Sequence, residues 1–283
     1  MKRKILSITE NSTISGKGHY VRQKELKNYL LKKNIELEII TCKYDQVNKR
    51  QYQMNHSLIL IDLPTQNQTE IDLNTLYVAN KICFDWAAPQ PPGTNVIVAH
   101  WADKTFRYVD KIYSGFEYII TSEEILNLTT AEKKYCLVTI GGHTEDSIIS
   151  QVINVLKLIY PSDVLLVNSG NLISVESQKI LRKNLPRKDY LQLLADAELV
   201  VTNGGTTLVE SIILQKKIIV VPKNVYEYNF ARYLARQYSF FDIWQFNNNY
   251  PQIEILNSNW HWLDGRGVMR VGEIIEQQFE AHG

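Results

Sequence analysis

The chain has 283 residues, 45% of them hydrophobic and 22% charged, which are the proportions of an ordinary globular protein and exclude wholesale disorder. At roughly 150 residues per domain, that length fits two domains, each large enough to bury a core. Lys and Arg total 31 against 30 Asp and Glu, and a net charge of +1 argues against a general nucleic-acid binder.

No apolar run reaches the roughly 18 residues that span a bilayer, so no transmembrane segment is expected. Met1-Lys2-Arg3-Lys4 is followed only by Ile5-Leu6 before polar residues return, too short for the apolar region of a signal peptide. Cys42, Cys83 and Cys136 lie far apart and form no CxxC pair, so they read as small core residues, with neither a disulfide framework nor a zinc site. A reducing compartment, most simply the cytoplasm, is the expected location.

Short apolar runs alternate with amphipathic stretches along the chain. Lys4–Ile8 reads as a strand and residues 19–33 as a helix, with Val21, Leu26, Tyr29 and Leu30 near helical spacing. Strands are then expected at Glu38–Thr41, Leu58–Asp62, Ile82–Asp85, Asn95–Val98 and Tyr118–Ile120. The polar stretch Thr129–Lys134 reads as a linker, after which the pattern restarts. Cys136–Ile140 is a strand, Ile148–Leu158 a helix, Val164–Val167 a strand, Asp189–Ala197 a helix and Glu198–Thr202 a strand. A helix begins near Thr206, Ile218–Val221 is a further strand, and Arg266–Phe279 is a closing helix. Apolar strands separated by helices indicate parallel sheets covered on both faces, and hence an α/β protein of two doubly wound units. The expected division is 1–130 and 131–283, with the closing helix in the second unit.

Three segments carry candidate chemistry. Gly16-Lys17-Gly18-His19-Tyr20-Val21-Arg22 joins the first strand to the first helix, where ligands of open α/β sheets bind. His19 at that helix start, as a neutral imidazole, suits general-base work, and Arg22 one turn further on has the charge to meet an anion. A dinucleotide fingerprint would need a third glycine at Val21, so that reading is weak. Asn203-Gly204-Gly205-Thr206-Thr207 follows a strand and opens a helix, an arrangement suited to a diphosphate; Glu210, one turn in, has the acceptors for ribose hydroxyls. The plainer alternative is an N-capped helix. Gly141-Gly142 follows the first strand of the second unit and allows a close backbone approach. Asp62 and Asp85 end strands of the first unit and are placed to orient His19 or a sugar hydroxyl, or to cap a turn. His56, His261 and His282 have no partner pattern, and no metal site is expected.

Together these segments resemble the UDP-sugar hydrolases of pseudaminic acid biosynthesis (the PseG family) and the related SpsG-like spore-coat polysaccharide proteins. More distantly, the second half is similar to the nucleotide domain of MurG-type glycosyltransferases. Residues 16–22 match GxGHxxR, Gly115-Phe116-Glu117-Tyr118 resembles Gly-x-x-Tyr, and Gly141-Gly142 matches the GG that opens the second domain. Gly204–Glu210 is similar to GGST-x-x-E, and Asp264–Arg270 to DGxGxxR. The resemblance implies the GT-B fold, two Rossmann-like domains facing a cleft. It implies that His19 is the catalytic base and that Gly204–Glu210 hold the uridine diphosphate. With the residue readings above, the candidate sugar-side residues are Gly16, Gly18, Arg22, Asp62 and Asp85, and the candidate nucleotide-side residues are Gly141, Gly142, Asn203–Thr207, Glu210 and Glu227. The implied reaction is attack of water on the anomeric carbon of a UDP-activated modified amino sugar, with no metal and no cofactor. A 2,4-diacetamido-2,4,6-trideoxy sugar is one such substrate, and other enzymes of a surface-glycan pathway are implied partners.

The chain departs from the family pattern at Pro64, Trp86 and Thr144, and Glu227 stands near where a Gln is usual, which would set a negative charge near the diphosphate. These departures keep two other readings open: a GT-B glycosyltransferase and a non-catalytic nucleotide-sugar binding module.

Overall fold

A computed structural model of the chain describes residues 4–10, 18–41, 56–63, 80–85, 94–98, 109–131, 135–140, 144–160, 163–167, 179–181, 185–238, 241–247, 250–256 and 263–281. Its elements in chain order begin with β1 (Lys4–Thr9), α1 (Gly18–Lys32), β2 (Leu37–Thr41), β3 (His56–Asp62), β4 (Lys81–Phe84), β5 (Thr94–Val98) and β6 (Val109–Ser114). They continue with β7 (Tyr135–Thr139), α2 (Asp146–Ile159), β8 (Asp163–Val167), β9 (Lys179–Leu181), α3 (Arg187–Asp196), β10 (Leu199–Thr202) and α4 (Thr206–Ile213). The remainder is β11 (Lys217–Val220), α5 (Val225–Tyr238), β12 (Phe241–Asn247), β13 (Tyr250–Leu256) and α6 (Gly267–Ala281). The chain divides into Met1–Glu123 with Gly265–Gly283, and Glu124–Asp264.

The first unit is built on a parallel sheet in the order β2-β1-β3-β4-β5-β6. Its central strands are apolar on both faces because both faces are covered: Ile5 and Leu6, like Leu58, Ile59, Leu60 and Ile61, are fully or almost fully buried. Leu26, Tyr29 and Leu30, at i, i+3 and i+4 of α1, join Ile5, Leu58, Leu60 and Phe84 in one core cluster. Asn34, left-handed at φ 59°, ends α1: its N–H reaches Leu31 O and the Ile35 N–H reaches Leu30 O, while buried Ile35 packs back into the same cluster.

The second unit has the order β13-β12-β11-β10-β7-β8-β9, with β13 alone antiparallel to its neighbour. Cys136 and Val138 of β7 face α2 through Ile149, Val152, Ile153 and Leu156, whereas Leu137 faces Leu194 of α3. The same strand therefore buries both faces, which explains its continuous apolar run.

The structure differs from the sequence expectations at several places. Tyr118–Ile120 is not a strand. β6 is Val109–Ser114, and Gly115 at φ 140° turns the chain into a short 3-10 helix over Phe116–Tyr118. A Cβ at Gly115 would also meet the Glu117 carboxylate, so the turn requires glycine there. The division of the chain falls after Glu123, and residues 129 and 131 of the expected linker are tied to α3: Gln192 donates to Thr129 O at 3.0 Å and the Ala131 N–H to Asp196 at 3.1 Å. The closing helix belongs to the first unit, because the apolar face Val268, Val271, Ile274 and Ile275 completes the core around Tyr29 and Leu30. Gly267 allows α6 to meet the Ile119 carbonyl, and Arg270 donates to Glu117 O at 3.1 Å. The motif-like segments at 115–118 and 264–270 therefore fasten the closing helix to the first unit. α5 and the β12–β13 hairpin have no counterpart among the expected elements.

Candidate functional site

Each sheet reverses its winding at one point, between β1 and β3 in the first unit and between β7 and β10 in the second. The carboxyl ends of strands at such a point are where open α/β sheets bind ligands. In the first unit the two strand ends are Thr9 and Asp62, which are register partners. In the second they are Thr139 and Thr202, also register partners.

Asp62 is wholly buried and carries the first centre. Its Oδ1 lies 2.7 Å from His19 Nδ1 and also accepts from Arg22 Nη2; its Oδ2 accepts from Arg22 Nε at 2.5 Å and from Gln23 Nε2 at 2.8 Å. Gln23 is in turn fixed by Ser7 of β1, whose hydroxyl donates to Gln23 Oε1 at 2.8 Å. α1 places these groups together: His19, Arg22 and Gln23 stand at i, i+3 and i+4, on one face of the helix. Thr9, on the same sheet end, buries a hydroxyl that finds no hydrogen-bond partner among the described residues.

Burial by itself would push the Asp62 carboxyl up, but the charges of Arg22 and His19 and their hydrogen bonds outweigh it and hold the carboxyl below its ordinary range. Asp62 is therefore an ionised acceptor, and its acceptor positions are filled. An acceptor-only partner requires the hydrogen of a neutral His19 to sit on Nδ1, which leaves the Nε2 lone pair free. The 3.2 Å approach of Arg22 Nη2 to His19 Nδ1 then joins two donors that share Asp62 Oδ1.

Arg22 also donates to Asp85 Oδ2 at 2.5 Å, and its guanidinium lies 5.7 Å from the centre of the Phe84 ring. Asp85 follows β4 with φ 46°, a left-handed conformation that Asp tolerates. Burial opposes the charge of Arg22, and the two carboxylates overcome it and raise its affinity for the proton. The anion expected to meet Arg22 is thus supplied by the protein itself: Asp62 and Asp85 both bind it, and Asp62 also contacts His19.

In the second unit Gly204 accommodates α5, since a Cβ there would lie 2.5 Å from Glu227 O. Gly205, the N-cap of α4, has no such constraint; its nearest neighbour would be Asn203 at 3.6 Å. No side chain caps α4 at its start, and Thr206 is exposed there. Thr207 pairs with the Tyr190 hydroxyl at 2.7 Å, which also lies 3.4 Å from Thr139 Oγ1. Glu210, 1% exposed, is bound by Arg187 Nη2, and Arg187 in turn lies over the Tyr190 ring at 5.6 Å. Burial, then the charge of Glu210, push the Tyr190 hydroxyl up, so Tyr190 is a neutral bridging group. Glu227 turns away to structural work: it accepts from Asn203 Nδ2 at 2.7 Å and from the Lys223 N–H at 2.8 Å, while its own N–H is capped by Asn224 at 2.9 Å. Lys223 Nζ lies 3.6 Å away, so the charge of Glu227 is locally matched.

Gly16, Gly141, Gly142, Pro64 and Trp86 lie outside the described residues; Gly18 is exposed at the start of α1, and Thr144 precedes α2. The side chains that sequence reasoning passed over are Ser7, Gln23, Thr139, Arg187 and Tyr190. Position 23 follows Arg22 on the helix that bears His19, which was the available signal. Arg187 and Tyr190 stand at i and i+3 of α3, and no spacing in the chain links them to Glu210. Among the described residues, no group of three or more His, Cys, Asp or Glu is arranged to hold a metal ion. Among the same residues no helix is long and apolar enough to cross a membrane.

No family model and no curated protein matches the sequence. Solved structures do match at the level of fold. The UDP-GlcNAc 2-epimerase of Methanocaldococcus jannaschii aligns with 97% of this chain and 99% of its own, at 11% identity and a TM-score of 0.52. The glycosyltransferase SnogD of Streptomyces nogalater aligns with 100% of this chain and 96% of its own, at 10% identity and a TM-score of 0.52. Arabidopsis thaliana UGT89C1, solved with UDP-L-rhamnose, aligns with 100% of this chain and 94% of its own, at 9% identity and a TM-score of 0.53. With both units wound as the sequence implies, the chain has the GT-B fold, an α/β architecture of two Rossmann-like domains.

Proposed function

We infer that the chain is an enzyme acting on a UDP-activated sugar, and that it is a hydrolase with His19 as general base. The observation that carries this reading is the contact of His19 Nδ1 with the ionised Asp62, which leaves Nε2 as a proton acceptor at the strand ends of the first unit. In the proposed step Nε2 takes a proton from water while the water oxygen bonds to the anomeric carbon. The bond from that carbon to the diphosphate oxygen breaks, and its electron pair leaves with UDP, so the free sugar has inverted configuration. UDP is a good leaving group once donors meet its charge, so a positioned base does more for water attack than a general acid would.

The second unit is read as the nucleotide-binding one. The uncapped start of α4, with Gly205 and Thr206, offers backbone N–H groups to a diphosphate. Glu210, whose Oε1 is bound by Arg187, is the proposed ribose partner. The names of the similar structures, one acting on UDP-GlcNAc and one solved with UDP-L-rhamnose, support UDP as the carrier. The motif resemblance supports a modified amino sugar on the way to a nonulosonic acid or surface polysaccharide.

A second reading is favoured by the glycosyltransferases among the similar structures: His19 would then deprotonate an acceptor hydroxyl in place of water. The test is UDP release from a panel of UDP-amino sugars, including 2,4-diacetamido-2,4,6-trideoxy sugars, with and without chelator. Chelator-resistant release of UDP and free sugar with no acceptor supports the hydrolase. Release only with an added hydroxyl acceptor moves the assignment to transfer. Binding without turnover under either condition overturns both.

A further inference from the structure

Gln23 has no assigned role and no exposed surface, yet both ends of its amide are engaged. The carboxamide oxygen accepts from Ser7 Oγ on β1, and the nitrogen donates to Asp62 Oδ2 at the end of β3, both at 2.8 Å. Ser7, Gln23 and Asp62 are all fully buried, so no solvent competes for these bonds. The orientation of the amide is determined from both sides. Ionised Asp62 can only accept, which directs the nitrogen toward it, and the Ser7 hydroxyl then donates to the oxygen.

Arg22 reaches both oxygens of Asp62 from one side, and Gln23, itself held by β1, adds a donor to Oδ2 that fixes the carboxylate plane from a second side. With the plane fixed, Oδ1 stays in line with His19 Nδ1. We propose that Gln23, anchored by Ser7, is a positioning residue that fixes the Asp62 carboxylate and through it the Nδ1–H tautomer and ring orientation of His19. This rests on the reading of His19 as a base that acts through Nε2. The relay runs from β1 through α1 to the end of β3, so three secondary-structure elements meet in it.

The test is a long-range 1H–15N correlation of the histidine ring of the whole, ligand-free chain at neutral pH, assigned by comparison with His19→Asn. The wild-type ring is expected to show the Nδ1–H tautomer. Gln23→Met, close in volume but without a donor, loosens the carboxylate plane and is expected to shift the tautomer ratio severalfold toward Nε2–H, less than losing the whole bond between His19 and Asp62 would. Ser7→Ala is expected to move it in the same direction by less, and the double variant no further than Gln23→Met, because the two act in series. Thermal unfolding of each variant establishes that it is folded, and Ser7→Ala serves as the reporter should Gln23→Met fail to fold. A wild-type ring in the Nε2–H form would overturn the base assignment itself. A wild-type Nδ1–H form that persists unchanged in every folded variant would overturn the role of Gln23 and leave His19 as the base. Once a substrate turns over, Gln23→Met is expected to lower kcat about tenfold at unchanged KM, the split that distinguishes positioning from binding.

Discussion

The Oδ1 atom of Asp62 lies 2.7 Å from His19 Nδ1 and serves Arg22 Nη2 as well, so one oxygen orders both the imidazole and the guanidinium. Asp62→Asn tests that arrangement with almost no change of shape. One amide orientation sets NH2 against His19 Nδ1–H and Arg22 Nη2–H; the other sets it against Arg22 Nε–H and Gln23 Nε2–H. Both face donors, so the variant loses hydrogen bonds whichever way it turns. Relief comes if His19 switches tautomer and accepts through Nδ1, which places the hydrogen on Nε2 and abolishes the base. Turnover is expected to fall by about 10²–10⁴-fold, with UDP affinity by calorimetry within roughly twofold of wild type. Retained turnover would separate Asp62 from the chemistry.

Removing the proposed base gives a simpler expectation. In His19→Asn the side chain can still donate to Asp62, so the buried network survives while the Nε2 lone pair is lost. UDP release is expected to drop by ~10²–10⁴-fold at near-constant UDP affinity, since the nucleotide role is proposed for the second unit. Equal activity in the variant would remove the general-base assignment.

The contrast between what could be read in advance and what could not follows from distance along the chain. Apolar runs such as Leu58–Ile61 announced strands because a parallel strand buries both faces. Tyr118–Ile120 is similarly apolar and is not a strand, since Gly115 turns the chain into the 3-10 helix over Phe116–Tyr118. Arg266–Phe279 was legible as a helix, but an apolar stripe does not state which core it enters; its packing beside Tyr29 and Leu30, with Gly272 against the Tyr29 ring, shows that. α5 was hidden because its buried face is made in part from Phe230 and alanines among tyrosines and arginines, which blurs the period. His19, Arg22, Asp62 and Asp85 stood out singly as residues at strand ends and a helix start. That Arg22 bridges two carboxylates 40 and 63 positions away was not legible, because pairing across a sheet leaves no local spacing.

Arg22→Met gives a pH dependence with a definite sign. In the wild type Asp62 has a lowered carboxyl pKa, so its contribution to stability is complete above the ordinary carboxylate range near 4 and is lost only as pH falls through the lowered value. Without Arg22, burial dominates the balance at Asp62 and pushes the carboxyl above its ordinary range. The ionised carboxylate then opposes folding at neutral pH, and protonation relieves it. The variant is therefore expected to be less stable than wild type by about 3 kcal/mol at pH 7, the scale of breaking a buried pair. The deficit should shrink as pH is lowered toward 4. Urea midpoints at pH 7 and pH 4 measure it, and a deficit that stays constant or grows toward acid would mean that Asp62 is not held ionised by Arg22.

The docking of the closing helix turns on a single missing side chain. A Cβ at Gly272 would fall 2.2 Å from Cδ1 and 2.3 Å from Cε1 of Tyr29, whose ring is 6% exposed and packed among Leu30, Val268 and Val271. Gly272→Ala improves the intrinsic helix preference of α6 by about 1 kcal/mol. It also forces that ring against neighbours that cannot recede, and overpacking of this kind costs about 1–3 kcal/mol. The cost is expected to exceed the gain, so the variant should be destabilised by up to about 2 kcal/mol in urea unfolding. Tyr29→Ala opens a cavity and is destabilising alone, but it makes room for the new methyl group. The double variant Tyr29→Ala with Gly272→Ala is therefore expected to be more stable than the sum of the singles by at least about 0.5 kcal/mol. Strict additivity, or a Gly272→Ala protein more stable than wild type, would show that α6 does not rest on Tyr29 through this glycine.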